Sequence, residues 1–107
     1  RFRRTLAVFA MLADKDIAGV IERIKGRVDH WLPATLPGPR GMSADALAQI
    51  LAGQGIHIEA CFDSPGEAYR SAGERAGEND RIVAFGSFLT VSGVLQAIDD
   101  ERKRRTT

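Results

Sequence analysis

The chain has 107 residues, of which 44% are hydrophobic and 27% charged, the balance of an ordinary globular protein. This length builds one domain around one core, and the longest apolar run is far below the roughly 20 residues that a membrane-spanning helix needs. We therefore expect no membrane partner. A single cysteine, Cys61, excludes an internal disulfide and a cysteine-based metal cluster, so we expect a cytosolic (cytoplasmic) protein.

The charge is unevenly distributed although the formal net charge is only +1. Basic residues crowd residues 1–4 and 101–107, and the rest of the chain has 8 basic and 13 acidic residues, a net charge of −5. A nucleic-acid-binding domain carries a basic face on its folded body, so we predict no nucleic-acid partner. We interpret residues 1–107 as a single domain with mobile, solvated tails at 1–3 and 101–107.

Four segments have patterns typical of β-strands. The first is an almost continuous apolar run, as in strands buried on both faces of a parallel sheet. The third alternates in part between apolar and polar residues. In chain order, the predicted strands are Thr5–Met11, Val28–Leu32, Ile56–Phe62 and Arg81–Phe85.

A helix is predicted after each strand. Apolar residues recur at i, i+3, i+4 and i+7 from Ile17 and again from Val91, which is the stripe of an amphipathic helix. Ser43 and Ser64 are typical N-caps for the two helices between, and Glu67 completes a capping box with Ser64. The alternation predicts a three-layer, Rossmann-like α/β domain with a mainly parallel sheet of four strands. In such sheets, ligands bind beyond the carboxyl ends of the strands.

The segment Gly86–Thr90 joins the predicted fourth strand to the fourth helix and is the first candidate site. The amides of a first helical turn have no partners inside the helix, and the helix dipole adds partial positive charge. With the hydroxyls of Ser87 and Thr90, the segment could bind a carboxylate or a phosphate. The alternative is a plain helix cap in which Ser87 binds only its own helix. The P-loop pattern GxxxxGK[ST] is absent from the chain.

Asp14–Lys15–Asp16, after the first predicted strand, is the second candidate. A lysine between two carboxylates can hold an anion or neutralise negative charge that develops during a reaction. The alternative is a solvated turn in which the aspartates cap the next helix. Arg40 lies in the loop after the second predicted strand, where it either contacts a ligand carboxylate or anchors the loop. We predict no metal site in this chain.

Three segments carry a resemblance when found together and in this order: Leu12–Gly19 (LADKDIAG), Leu36–Gly41 (LPGPRG) and Phe85–Val91 (FGSFLTV). They resemble the C-terminal domain of the bacterial bifunctional dihydrofolate synthase/folylpolyglutamate synthase family, which belongs to the Mur ligase superfamily. The resemblance extends from about Arg4 to Gln96.

This resemblance implies an ATP-dependent ligase that joins L-glutamate to a dihydropteroate or folate carboxylate through an acyl phosphate. MgATP and the folate would be bound mainly by an N-terminal domain outside this chain, so we expect no catalytic residue here and an inactive fragment of a monomeric enzyme. Domain closure would keep water from the acyl phosphate. The implied glutamate-binding residues are Ser87, Lys15, Thr90 and Phe88, and the further candidate contacts in the cleft are Asp14, Asp16 and Arg40.

The chain departs from the family pattern at its start. The resemblance implies an upstream strand and a nucleotide-contacting motif of the Asp-Gly-Ala-His-Asn-Pro type, which are not in this sequence, so we interpret the domain as truncated at its N-terminus. In the family, the last strand lies between that upstream strand and the first strand seen here. We therefore expect the strand order 4-1-2-3, with Arg81–Phe85 as an exposed edge through which the fragment can self-associate.

Two other functions stay open from the sequence. One is the C-terminal domain of another Mur-type amino-acid ligase, acting on a peptidoglycan precursor, although the Asp14–Asp16 segment disfavours it. The other is a free-standing α/β domain that binds an anion at Gly86–Thr90. A substrate screen distinguishes a peptidoglycan-precursor ligase from a folate ligase. The natural reading frame tests the free-standing domain, which would start near Arg1 and have no P-loop domain.

Overall fold

The structure, a computed structural model, describes residues 2–106; the side chains of Phe88, Arg105 and Thr106 lie outside that description. A parallel sheet is covered by helices on both faces, which confirms the predicted α/β class. The elements in chain order are β1 (Thr5–Phe9), α1 (Ile17–Ile24), a 3₁₀ turn (Lys25–Arg27), β2 (His30–Pro33), α2 (Ala44–Gly53), α3 (Pro65–Arg75), β3 (Arg81–Phe85) and α4 (Phe88–Thr106). Residues 101–106 form the end of α4, and the mobility of both tails stays a prediction.

The three strands lie in the order β2-β1-β3, and both pairs are parallel. Leu6 lies opposite His30, and Thr5 lies opposite Arg81. All five residues of β1 are buried because this strand has a neighbour on each side and helices over each face. The continuous apolar run that predicted a doubly buried strand is therefore the centre of the sheet.

The prediction of a strand over Ile56–Phe62 is wrong, so the sheet has three strands and the order 4-1-2-3 is not confirmed. The segment alternates between half-buried and exposed residues as a strand would, with Cys61 exposed. Only Phe62 pairs with the sheet, through a parallel bridge to Ala34. At the other end, the N–H of Ile56 donates to the carbonyl of Leu51 at 3.1 Å, which holds the start of the segment at the end of α2.

Two apolar clusters cover the two faces of the sheet, because alternate residues of β1 point to opposite sides. In the second of the two clusters given below, Phe9 packs edge-on to Trp31, with ring centroids 5.1 Å apart. The first cluster comprises Leu6, Val8, Ala10, Leu32, Ala34, Leu36, Ala68, Ala72 and Val94. The second comprises Phe9, Met11, Ile17, Ile21, Trp31, Leu47 and Leu51. The first lies against α3 and α4, and the second against α1 and α2.

The predicted caps begin the helices. The hydroxyl of Ser43 accepts from the Ala46 N–H at 3.1 Å, and that of Ser64 accepts from the Glu67 N–H at 3.2 Å. Glu67 in turn accepts from the Ser64 hydroxyl at 3.3 Å, as the capping-box pattern indicates. Within residues 2–106, no helix combines the length and the apolar character that crossing a bilayer requires.

An ion pair between Arg4 and Asp80 links the chain just before β1 to the chain just before β3. Arg4 donates to one oxygen of Asp80 through Nη2 at 2.6 Å and through Nε at 3.0 Å, and the Gly77 N–H donates to the same oxygen at 2.8 Å. The Asp80 side chain is only 5% exposed. The hydrogen bond from Arg4, followed by that from Gly77, lowers the pKa of Asp80 to about 2.

We expect the Arg4–Asp80 ion pair to cause part of the loss of folding stability at low pH. The pKa of Asp80 is about 2 in the folded state and about 3.9 in an unfolded chain, so its stabilisation is complete above pH 4 and is lost as the pH falls from 4 towards 2. We expect Asp80→Asn to lower the thermal midpoint at pH 7 and to flatten its decline between pH 5 and 2.

The matched control is Glu78→Gln, in the same turn, where the carboxylate is exposed and makes no ion pair with the described residues. Its midpoint should follow the wild-type pH profile in circular dichroism melts. An Asp80→Asn profile parallel to the wild type between pH 5 and 2 would contradict the assignment.

Candidate functional site

The candidate residues follow the carboxyl ends of the three strands. Because the strands are parallel, these ends lie along the same edge of the sheet. Leu12–Asp16 follows β1, the loop 34–42 follows β2, and Gly86–Thr90 follows β3. The topology therefore brings the candidate segments to one edge, as the predicted alternation of strands and helices required.

The end of β1 and the start of α4 meet at the carbonyl of Ala10. The hydroxyl of Thr90 donates to that carbonyl oxygen at 2.8 Å, and the Ala10 N–H donates to the carbonyl of Phe85 at 3.4 Å. Gly86 has a φ of 120°, and a Cβ at this position would clash with the Ala10 carbonyl oxygen. Glycine is required here both by the backbone conformation and by the close approach.

Ser87 is the N-cap of α4, and its hydroxyl is engaged on both sides. Its oxygen accepts from the Thr90 N–H at 3.2 Å and lies 3.0 Å from the Thr90 hydroxyl oxygen. Since Thr90 has one hydroxyl proton and directs it to Ala10, Ser87 must be the donor between the two hydroxyls. The hydroxyl proton of Ser87 is therefore used within the helix start. To donate to an anion, Ser87 would have to turn this proton away from the Thr90 hydroxyl.

Thr90 itself is fully buried. Its hydroxyl is enclosed between Ser87 and the Ala10 carbonyl, so in this structure it holds the junction together. A direct contact from Thr90 to a substrate stays a prediction, and the side chain of Phe88 lies outside the described residues. Sequence reasoning missed Ala10, because a carbonyl on an apolar strand has no signature in the sequence.

The Asp14–Asp16 segment is held by the loop after β2. Arg40 forms an ion pair with Asp14 at 2.8 Å, and its carbonyl accepts from the Ala13 N–H at 2.8 Å. Both side chains of the pair are exposed, and the hydrogen bond from Arg40 lowers the pKa of Asp14. Arg40 therefore anchors the loop, which is one of the two roles left open by the sequence.

Asp16 caps α1 by accepting from the Gly19 N–H at 3.1 Å, as the plain-turn alternative expected. Lys15, between the two aspartates, is exposed, and its ammonium has no ion-pair partner within residues 2–106. Its backbone N–H donates to the Leu12 carbonyl at 3.3 Å, which keeps the turn tight. The two aspartates are therefore engaged in structural contacts, and a role of Lys15 in binding an anion stays a prediction.

A cavity of about 380 Å³ opens on the same edge, between α3 and α4. Apolar Pro65 and Leu89 and charged Arg70 and Asp100 are among the residues that line it. The sequence analysis did not predict this cavity, because it depends on how α3 and α4 pack against each other. Among the described residues, no three His, Cys, Asp or Glu side chains are grouped as metal ligands.

The close approach at Gly86 generates a prediction about stability. Gly86→Ala combines a disfavoured backbone conformation with a clash against Ala10, and we expect it to cost about 2–4 kcal/mol. That corresponds to a loss of roughly 10–25 °C in the melting temperature of a domain of this size. Differential scanning calorimetry measures both quantities.

Gly73→Ala is the matched control, because Gly73 lies within α3, is exposed and has open space around its Cα. There, alanine should stabilise the helix by about 0.5–1 kcal/mol. Equal melting temperatures for the two variants would contradict the described junction.

This chain matches the family model described as "Mur ligase, glutamate ligase domain" over residues 1–88. The parallel α/β fold agrees with that match. The chain therefore belongs to the Mur ligase family and corresponds to its glutamate ligase domain.

The relatives reported below are named for the same two synthase activities. The chain is 43% identical over 99 residues to the dihydrofolate synthase/folylpolyglutamate synthase of Escherichia coli K12, covering 92% of this chain and 22% of that protein. The solved E. coli FolC in complex with DHPP and ADP is 40% identical with a TM-score of 0.86, covering 95% and 23% of the two chains.

A bifunctional folylpolyglutamate synthase/dihydrofolate synthase solved with Mn, AMPPNP and L-glutamate is 38% identical with a TM-score of 0.81, covering 90% and 22%. The chain thus spans about a fifth of the length of these relatives, and it matches their C-terminal part. The resemblance to the dihydrofolate synthase/folylpolyglutamate synthase family is confirmed.

Proposed function

We propose that this chain is the glutamate-side domain of an ATP-dependent ligase that joins L-glutamate to dihydropteroate or a folate. The strongest support is the 43% identity over 92% of the chain to an E. coli enzyme named for both synthase activities. Glutamate as the substrate is supported by the relative that was solved with L-glutamate bound. Because the chain spans only about a fifth of these proteins, the proposal assigns activity to a longer protein and none to this part alone.

In this proposal, the start of α4 binds a carboxylate of the incoming glutamate. The amides of its first turn and the helix dipole attract an anion, and Ser87 turns its hydroxyl proton from Thr90 to the carboxylate. Thr90 keeps its bond to Ala10 meanwhile, so the helix start stays fixed to the end of β1. Thr90 then acts on the ligand by positioning Ser87.

Lys15 provides the second charge. Its exposed ammonium follows β1 at the same sheet edge as the start of α4. In an amide-forming ligase, the glutamate amine attacks the carbonyl carbon of an acyl phosphate, and the C–O bond to phosphate breaks. A lysine can attract the second carboxylate of glutamate or the charge on the departing phosphate. Arg40 and Asp14 would support Lys15 by holding its turn.

MgATP does not fit the residues of this chain by themselves. Within the described part, no three potential metal-ligating side chains are grouped, and Asp14 is paired with Arg40. The sequence also has no P-loop. Two relatives were solved with ADP or with AMPPNP and Mn, so we propose that the rest of a longer chain supplies most of the nucleotide and metal contacts.

The proposal predicts how two substitutions change the kinetics of the longer protein. Ser87→Ala removes a hydrogen bond to a charged group, which is worth about 1.5–3 kcal/mol, so the glutamate KM should rise about tenfold or more. Lys15→Ala should raise it in the same direction. The measurement is ATP-dependent incorporation of labelled L-glutamate into dihydropteroate and into folates.

Ser92→Ala and Lys25→Ala are the matched controls. Ser92 lies on the exposed side of α4, and Lys25 lies at the end of α1, where it pairs with Glu22. Both should leave the glutamate KM unchanged. Turnover of a peptidoglycan precursor in place of folates, or no turnover with either, would contradict the proposed substrate. Normal kinetics for Ser87→Ala and Lys15→Ala would remove those two residues from the site.

A further inference from the structure

The loop after β2 folds back on itself as a closed turn over residues 36–42. The Leu36 N–H donates to the Met42 carbonyl at 3.3 Å, and the Gly41 N–H donates to the Gly38 carbonyl at 3.2 Å. Leu36 belongs to the first apolar cluster and is only 2% exposed. The turn therefore leaves the core at a fixed point, and its second half returns to the sheet edge.

The returning half of the turn, residues 40–42, is bonded to the chain that follows β1. The Met42 N–H donates to the Met11 carbonyl at 3.0 Å, and the Ala13 N–H donates to the Arg40 carbonyl at 2.8 Å. These two backbone bonds join the turn to the residues directly before Lys15. A movement of residues 40–42 would therefore move the chain that carries this lysine.

Gly41 is the point of closest approach in this arrangement. It forms an antiparallel bridge with Leu12, and a Cβ at position 41 would overlap the carbonyl oxygen of Leu36. The φ of Gly41 lies outside the left-handed region, so the close approach alone requires glycine. Leu36 cannot yield easily, because its side chain is enclosed in the close-packed core. A side chain at position 41 would instead push residues 40–42 away, together with Leu12.

The backbone of Lys15 is held between these paired segments and α1. Its N–H donates to the Leu12 carbonyl at 3.3 Å, and its carbonyl accepts from the Ile17 N–H at 2.9 Å. The lysine side chain is a flexible stem with a charge at its end, so its backbone position determines where that charge can reach. The position of Leu12 therefore sets the position of Lys15.

We propose that Gly41 is a positioning residue for Lys15. By allowing residues 40–42 to lie against the Leu36 carbonyl, it places Leu12, and through Leu12 the lysine charge, at the sheet edge. The inference rests on the proposed function, in which Lys15 attracts a carboxylate of glutamate or the departing phosphate. Gly41 touches neither group, and it acts because a small displacement of a binding group is enough to weaken binding or catalysis.

Hydrogen exchange in the longer protein, followed by mass spectrometry, tests the structural half of the proposal. Gly41→Ala should speed exchange about tenfold in peptides that cover residues 11–15 and 36–42. Gly53→Ala is the matched control, since Gly53 lies at the exposed end of α2 with open space around its Cα, and it should leave exchange in those peptides unchanged. Unchanged exchange in Gly41→Ala would overturn the proposal whatever the kinetics show.

The kinetics of ATP-dependent glutamate incorporation test the functional half. Gly41→Ala should reproduce, within about twofold, the changes in glutamate KM and in kcat that Lys15→Ala causes, and Gly53→Ala should change neither. The double variant of Gly41→Ala and Lys15→Ala should behave as Lys15→Ala alone, because both substitutions act through one group. A purely structural role would lower the melting temperature without this pattern. A further loss in the double variant would overturn the proposal.

Arg40→Ala is a second variant, for the case in which Gly41→Ala does not fold. It removes the exposed ion pair with Asp14 and leaves the backbone bonds in place. The glutamate KM should rise about two- to fivefold, and this rise should disappear when Lys15 is alanine. A rise that persists without Lys15 would overturn the proposal. Normal kinetics for Lys15→Ala, together with faster exchange in Gly41→Ala, would show that the proposed role of Lys15 has failed, and the role of Gly41 with it, although the contact at Leu36 is correct.

Discussion

The carbonyl of Ala10 holds the start of α4 against the end of the central strand. Ala10 follows the central strand, Gly86 passes close to its carbonyl, and the buried Thr90 hydroxyl donates to it. A buried carbonyl without a partner would cost about 1–3 kcal/mol, so the Thr90 hydroxyl holds the helix in one position relative to the sheet. The same contact fixes where Ser87 lies and where its proton points.

The candidate site combines a fixed part and an exposed part. Ser87 is fixed because its oxygen is bonded to the Thr90 amide and hydroxyl, and that hydroxyl is bonded to the Ala10 carbonyl just after β1. Lys15 is exposed, but the turn that carries it is held by the Arg40–Asp14 pair and by the backbone bond from Ala13 to Arg40. A rigid anion-binding helix start and a positioned lysine can bind a dicarboxylate such as glutamate. In the proposed function, activation of the other carboxylate falls to the remainder of a longer ligase.

Much of the fold follows from local patterns. The apolar run at Thr5 predicted the central strand, and Asp16, Ser43 and Ser64 predicted the starts of three helices, because a cap is a local property of a few residues. The strand expected over Ile56–Phe62 failed because pairing is a non-local property. Its alternation produced a half-buried segment, but the Leu51 carbonyl holds Ile56 at α2, and only Phe62 reaches the sheet.

The same contrast between local and non-local contacts explains why only part of the site could be predicted. A glycine followed by a serine after an apolar strand indicates a helix start at a sheet edge, and that is where Ser87 lies. The sequence could not assign the Thr90 hydroxyl to a carbonyl 80 residues away, nor the Arg40 guanidinium to Asp14. Thr90 and Ser87 have similar hydroxyls in the sequence, yet one is enclosed by the fold and the other lies at the helix start.

In the proposed function, the junction at Ala10 presents the start of α4 to a carboxylate of glutamate. A structure of the longer protein with L-glutamate and a non-hydrolysable ATP analogue would show whether this contact forms. We expect a glutamate carboxylate oxygen within about 3 Å of the Ser87 hydroxyl or of an amide in the first turn of α4, with Thr90 still bonded to Ala10. Glutamate bound with both carboxylates away from α4, while Ser87 still donates to Thr90, would contradict it.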